Sequence, residues 1–115
     1  MPRFAILTHD HPYFHWDFLL EQGSTCWTWR LLQSPDAANQ IPAEPLPDHR
    51  ILYLDYEGPL SGDRGNVTRW DCGTYDLLSD HPEKIVVMLH GHQINGEVTM
   101  HQSDDGSWHW LRKPK

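Results

Sequence analysis

The chain has 115 residues, with nine Lys and Arg against 16 Asp and Glu and a formal charge of −7. That length suits one domain over residues 1–115 and leaves no room for a second independent core. The acidic balance argues against a general nucleic-acid coating protein, which needs clustered Lys and Arg, but not against a site that grips one phosphate through a cation.

Period-two alternation runs through most of the chain. A first strand is expected at residues 3–8; its apolar run is too short for a signal peptide, and no segment is long enough to span a membrane. A cytoplasmic location without a membrane partner is the corresponding expectation. A second strand at 14–21 places His15, Asp17, Leu19 and Glu21 on one face and the apolar Trp16, Phe18 and Leu20 on the other, which belongs in a core. A third strand is expected at 25–32. The stretch 33–50, rich in Pro and Ala, reads as one long loop with a helical turn at 36–40. Further strands are expected at 51–57, 66–70, 74–78, 84–90, 97–102 and 107–112. Turn signals separate them, among them Ser61-Gly62-Asp63-Arg64-Gly65, Asp71-Cys72-Gly73 and Asp104-Asp105-Gly106. About eight or nine short strands without capped helical periodicity predict an all-β, small antiparallel β-barrel. Six Trp, four Tyr and three Phe supply its core area, and Cys26 and Cys72 are expected as free thiols.

Chemistry concentrates in His9-Asp10-His11-Pro12-Tyr13-Phe14-His15-Trp16-Asp17. His15 and Asp17 share a strand face about 6–7 Å apart along the backbone, close enough to reach one ion. The 10–14 connection can fold His9 back beside them. Two imidazoles and a carboxylate leave coordination positions open, as a catalytic metal requires, and suit Mn²⁺, Fe²⁺ or Zn²⁺. The same spacing also suits a hydrogen-bonded His15–Asp17 pair facing solvent. His11 reads as a solvated loop neighbour of that site, and His81, His90, His92, His101 and His109 as turn, surface or barrel-wall residues.

The run His9-Asp10-x4-His15-Trp16-Asp17-Phe18-x-Leu20-Glu21 resembles the opening motif of the 3′-phosphoesterase domain of bacterial DNA ligase D, which reads His-Asp, a short gap, then His-Tyr-Asp-Phe-Arg-Leu-Glu. The resemblance continues in order through Trp29, Asp48-His49, Tyr53, Tyr56-Glu57-Gly58, Trp70-Asp71-x-Gly73-Thr74-Tyr75, Leu89-His90-Gly91, Gly96 and Trp110-Leu111-x-Lys113. It is that of a stand-alone copy. It implies a small β-barrel enzyme, Mn²⁺-dependent, that removes a terminal ribonucleotide and then the 3′-phosphate from DNA ends during repair. By the same resemblance the metal ligands are His9, His15 and Asp17, and His49 and Tyr53 contact the phosphate. DNA or RNA-tipped DNA 3′ ends are the implied partners, together with a separate ligase or polymerase.

Two departures bear on catalysis. Leu19 stands where the family has a phosphate-binding arginine, and Pro47 where an acidic residue precedes Asp-His. An apolar side chain cannot neutralise a phosphate, so either another cation serves or turnover is impaired. Arg64, in the glycine-rich segment, is the expected substitute, with Glu21 as an outer support of one ligand. The alternatives are a non-catalytic, metal-containing end-binding module and a cupin-like metalloenzyme.

Overall fold

β1 (Arg3–His9), β2 (His15–Gln22) and β3 (Thr25–Leu31) form an antiparallel meander in the computed structural model, which describes residues 1–113. It continues through β4 (Gln40–Arg50), β5 (Gly58–Pro59), β6 (Asn66–His81), β7 (Lys84–Gly91), β8 (Asn95–Gln102) and β9 (Trp108–Arg112). The spatial order is β1-β2-β3-β4-β9-β8-β7-β6-β5, and pairing of β1 with β6 closes eight strands into an antiparallel barrel. Closure removes the free edges that an open sheet would offer to other chains. β5 is a short addition on the start of β6. The fold is the all-β barrel that the alternation predicts. Among the described residues no helix is long and apolar enough to cross a membrane.

Two apolar clusters explain the sequence of the first strands. Phe4 and Ile6 of β1, Phe18 and Leu20 of β2, and Trp29 and Leu31 of β3 fill the barrel interior with Tyr75, Leu89, Val98 and Trp110. The Phe18 ring meets Trp110 edge-on at 5.0 Å. Ala5, Leu7, Leu19 and Cys26 face outward, yet they too are buried, beneath Leu54 and Val67. The run Phe-Ala-Ile-Leu is therefore apolar on both faces. Burying one leucine such as Leu54 contributes about 2 kcal/mol, and here that energy fastens the 51–67 segment over the β1–β2 surface.

Three expectations need correction. The stretch 33–50 is not one loop, because its second half is β4, which pairs with β3 along much of its length. Its pairing with β9 ends at Ala43, so Pro45 and Pro47 lie where the far edge of β4 has no ladder partner to lose. Residues 51–57 are not a strand: Ile51–Leu54 is a 3-10 turn, which sets Ile51 and Leu54 together in the outer cluster. Asp71-Cys72-Gly73 is not a turn between two strands but the bent middle of β6, where the register slips opposite Ile6 and Leu7. The buried Asp71 carboxylate accepts hydrogen bonds from the backbone N–H groups of Cys72, His92 and Ile94. A turn-forming residue is thus used to tie a bulge to the β7–β8 turn. Gly73 is required there because a Cβ would collide with the His90 carbonyl.

Candidate metal centre

The β1–β2 register sets Leu7 opposite Asp17 and His9 opposite His15, which gathers the two imidazoles and the carboxylate at one end of the hairpin. All three project from the outer face. One ligand atom from each lies within 4.8 Å of the others. His15 and Asp17 are fully buried and His9 half-buried, so the solvent-facing pair that the spacing also allowed is not what forms.

The hydrogen bonds around the triad determine which nitrogens carry protons. His15 Nδ1 lies 2.8 Å from the Tyr13 carbonyl, and His9 Nε2 lies 2.8 Å from the Arg64 carbonyl. A carbonyl only accepts, so both of these nitrogens donate. In the neutral imidazoles the remaining nitrogens, His15 Nε2 and His9 Nδ1, then carry lone pairs. Those lone pairs point at Asp17 Oδ1, 2.9 Å away, and at Asp17 Oδ2, 3.0 Å away. Three electron-pair donors facing one another without a proton fit a divalent cation, with second-partner carbonyls orienting each imidazole. His15 Nε2 and Asp17 Oδ1 are indeed buried and without a hydrogen-bond partner.

Without a cation, protons must take its place. Burial alone would raise the Asp17 carboxyl, but the close imidazoles of His15 and His9 outweigh it and hold the group at about 2. His9 is correspondingly raised, chiefly by its hydrogen bond to Asp17. The metal-free site therefore favours a proton on His9, and cation and proton compete for the same lone pair.

The supporting loop is held by short, specific contacts. Asp10 Oδ1 accepts from the Asn66 N–H at 2.7 Å, pinning the 61–66 segment beside the hairpin. Gly65, at φ +82°, leaves the space that Asp10 occupies; any Cβ there would collide with Asp10 Oδ1. This loop delivers the Arg64 carbonyl to His9.

The triad opens into a cleft of 520 Å³ whose lining includes His9, Asp17, Arg30, His49, Tyr53 and Arg64. His49 enters it through an irregularity in β4: Cys26 opposes His49 and Thr28 opposes Leu46, so Pro47 and Asp48 stand against Trp27 alone. His49 Nδ1 donates to the Pro47 carbonyl at 2.9 Å, and its ring lies 6.0 Å from that of Tyr53. A larger depression of 690 Å³ at the β6–β7 and β8–β9 turns is lined by His81, Lys84, His101 and Asp104. Among the described residues the triad is the cluster with metal-ligand geometry.

Two expected contributors act elsewhere. Glu21 Oε1 accepts from the Arg3 backbone N–H at 2.9 Å, at the far end of the β1–β2 pairing, so it supports no ligand. The Arg64 guanidinium folds back on Ser61, donating from Nε to its carbonyl at 2.7 Å and from Nη2 to its hydroxyl at 3.0 Å. It is the Arg64 carbonyl that touches the site. Sequence reasoning missed Arg30, which the register sets directly across from Asp17; strand alternation from Thr28 to Arg30 was the available signal. Leu19 shares the ligand face but is sealed in the outer cluster with no solvent exposure. Leu19→Arg is therefore expected to cost at least about 3 kcal/mol in urea denaturation, as an uncompensated charge among apolar groups, instead of adding a cation to the cleft.

Comparison with known proteins is consistent across most of the chain. Residues 7–102 match the model of the DNA ligase D 3′-phosphoesterase domain. The multifunctional non-homologous end joining protein LigD of Mycobacterium bovis is 32% identical over 124 residues, covering 97% of this chain. LigD of Pseudomonas aeruginosa is 30% identical over 115 residues, covering 96% of it. The match takes in 16% of the first protein and 13% of the second, so the chain spans less than a fifth of the length of these relatives.

Proposed function

The chain belongs to the DNA ligase D 3′-phosphoesterase domain family, and on that footing we propose that it is a metal-dependent phosphoesterase acting on nucleic-acid 3′ ends in DNA repair. The observation that carries this reading is the convergence of His9 Nδ1, His15 Nε2 and the Asp17 carboxylate, lone pairs inward, in a cleft that His49 and Tyr53 also line. A divalent cation bound there, Mn²⁺ in this reading, supplies Lewis-acid stabilisation of charge on a phosphate oxygen and lowers the pKa of water.

The remaining work falls to the protein's own groups. His9 and His15 are held in one tautomer by the Arg64 and Tyr13 carbonyls, so their inward nitrogens stay free of protons once a cation displaces them. His49, with Nδ1 committed to Pro47, presents Nε2 to the cleft; protonated there, it gives its proton to the leaving oxygen. Tyr53 orients the phosphate by a hydrogen bond from its hydroxyl. The substrates that follow are DNA ends carrying a 3′-phosphate or a terminal ribonucleotide, with a ligase or polymerase using the resulting 3′-hydroxyl.

The deciding experiment is a labelled primer ending in a 3′-phosphate, or in one ribonucleotide, incubated with Mn²⁺ and resolved on a gel. Release of the phosphate or ribonucleoside, abolished by EDTA, is the expected result. Metal binding without any product would leave a non-catalytic end-binding module in its place.

A further inference from the structure

The cleft must neutralise a phosphate, yet its triad spends one carboxylate charge on the cation it would hold. The face that carries His15, Asp17 and Leu19 adds no positive side chain from β2, so a cation has to come from a neighbouring element. Three arginines line the cleft: Arg30, Arg50 and Arg64. Arg64 is occupied with Ser61. Arg50 is exposed at the end of β4.

Arg30 differs from both. It pairs directly across from Asp17, which places its stem on the ligand face one strand away. Its side chain is only 22% exposed, and its buried Nε has no hydrogen-bond partner. Its other contacts are long: Nη1 donates to the Tyr13 hydroxyl at 3.3 Å and lies 3.6 Å from Glu44 Oε1. The guanidinium carbon sits 5.3 Å from the centre of the exposed Tyr13 ring, which supports the planar group from one side. A guanidinium so held offers a fork of donors suited to two oxygens of a phosphate.

We propose that Arg30 binds the 3′-terminal phosphate in the metal cleft, as the residue that distinguishes a phosphorylated end from a 3′-hydroxyl. The proposal rests on the phosphoesterase reading of that cleft. Tyr13, which carries the guanidinium, is a positioning residue.

The test compares a primer ending in a 3′-phosphate with the same primer ending in a 3′-hydroxyl. Binding to the Mn²⁺-loaded protein is followed by stopped-flow anisotropy, before cleavage. The parent is expected to prefer the phosphorylated end by about tenfold or more, since hydrogen bonds from a charged donor are worth about twice neutral ones. Arg30→Gln should lose that preference while Mn²⁺ affinity stays within about twofold, and Arg50→Gln should keep it, because a rim charge contributes little. If the glutamine variant does not fold, Arg30→Met, which keeps the stem against Tyr13, is expected to show the same loss. A charge-free variant that retains the parent's preference overturns the assignment of Arg30 and leaves the phosphoesterase reading standing. A parent that shows no preference and releases no phosphate overturns both.

Discussion

Replacing Asp17 with alanine is expected to lower Mn²⁺ affinity by at least about 100-fold and to abolish metal-dependent turnover, because loss of even outer partners of a ligand costs 10–100-fold. Asp17 is the one anionic group of the triad and touches both imidazoles, at 2.9 and 3.0 Å. Without it, two neutral nitrogens must hold a dication alone. Calorimetric titration decides the matter, and binding equal to the parent's would break the ligand assignment. pH supplies an independent check. In the metal-free protein the depressed Asp17 carboxyl stabilises the fold above its ordinary 3.8, and that contribution is lost as pH falls towards about 2. His9 is raised, so its contribution is complete below the ordinary 6.5 and is lost as pH rises through its higher folded value. The metal-free protein should thus be most stable from roughly pH 4 to 6.5. A cation needs the unprotonated nitrogens, so the rise in Tm on adding Mn²⁺ should be small at pH 5 and grow towards about pH 8.

Most of the barrel was legible because its strands are buried on one face only. β7, β8 and β9 alternate plainly, and their expected limits differ from the observed ones by a residue or two. β1 and β2 were also legible, although both of their faces are covered, because the second face ends in His9, His15 and Asp17, polar residues that stand out against Leu7 and Leu19. β4 escaped notice because its prolines mark turns in most contexts; Pro45 and Pro47 are tolerable because that part of the strand pairs with β3 alone. The 51–57 segment misled for a related reason. Its apolar residues are explained by a second cluster outside the barrel, which alternation along a single strand cannot reveal. Spacing within one hairpin placed His9, His15 and Asp17 near one another but left a hydrogen-bonded His15–Asp17 pair open, and the family resemblance singled them out as a ligand set. Arg30 was not legible in this way, because its place beside Asp17 depends on the register between β2 and β3. Arg64 misled in the opposite way: its place in the glycine-rich segment made it the expected substitute cation, whereas it is its carbonyl, held by the loop, that meets His9.

His49→Gln is expected to reduce kcat by about 10²–10⁴-fold, the range for a positioned acid or base, with Mn²⁺ affinity within about twofold of the parent's. The two readouts separate because His49 lies outside the triad. Its Nδ1 donates to the Pro47 carbonyl at 2.9 Å, and it reaches the cleft from β4, not from the β1–β2 hairpin. Glutamine preserves a donor of similar reach and so retains much of any purely binding role. What it cannot do is release a proton to the leaving oxygen. A role confined to holding the phosphate would raise KM and leave kcat nearly intact. A proton-transfer role lowers kcat, since no acid remains to protonate the leaving oxygen. Primers with better leaving groups sharpen the distinction, because an alkoxide that departs without a proton needs no acid. The His49→Gln defect should therefore shrink on a 3′-(4-nitrophenyl phosphate) end relative to a terminal ribonucleotide. An equal defect on both substrates would remove His49 from the proton path and leave it, with Tyr53, as part of the wall that shapes the cleft.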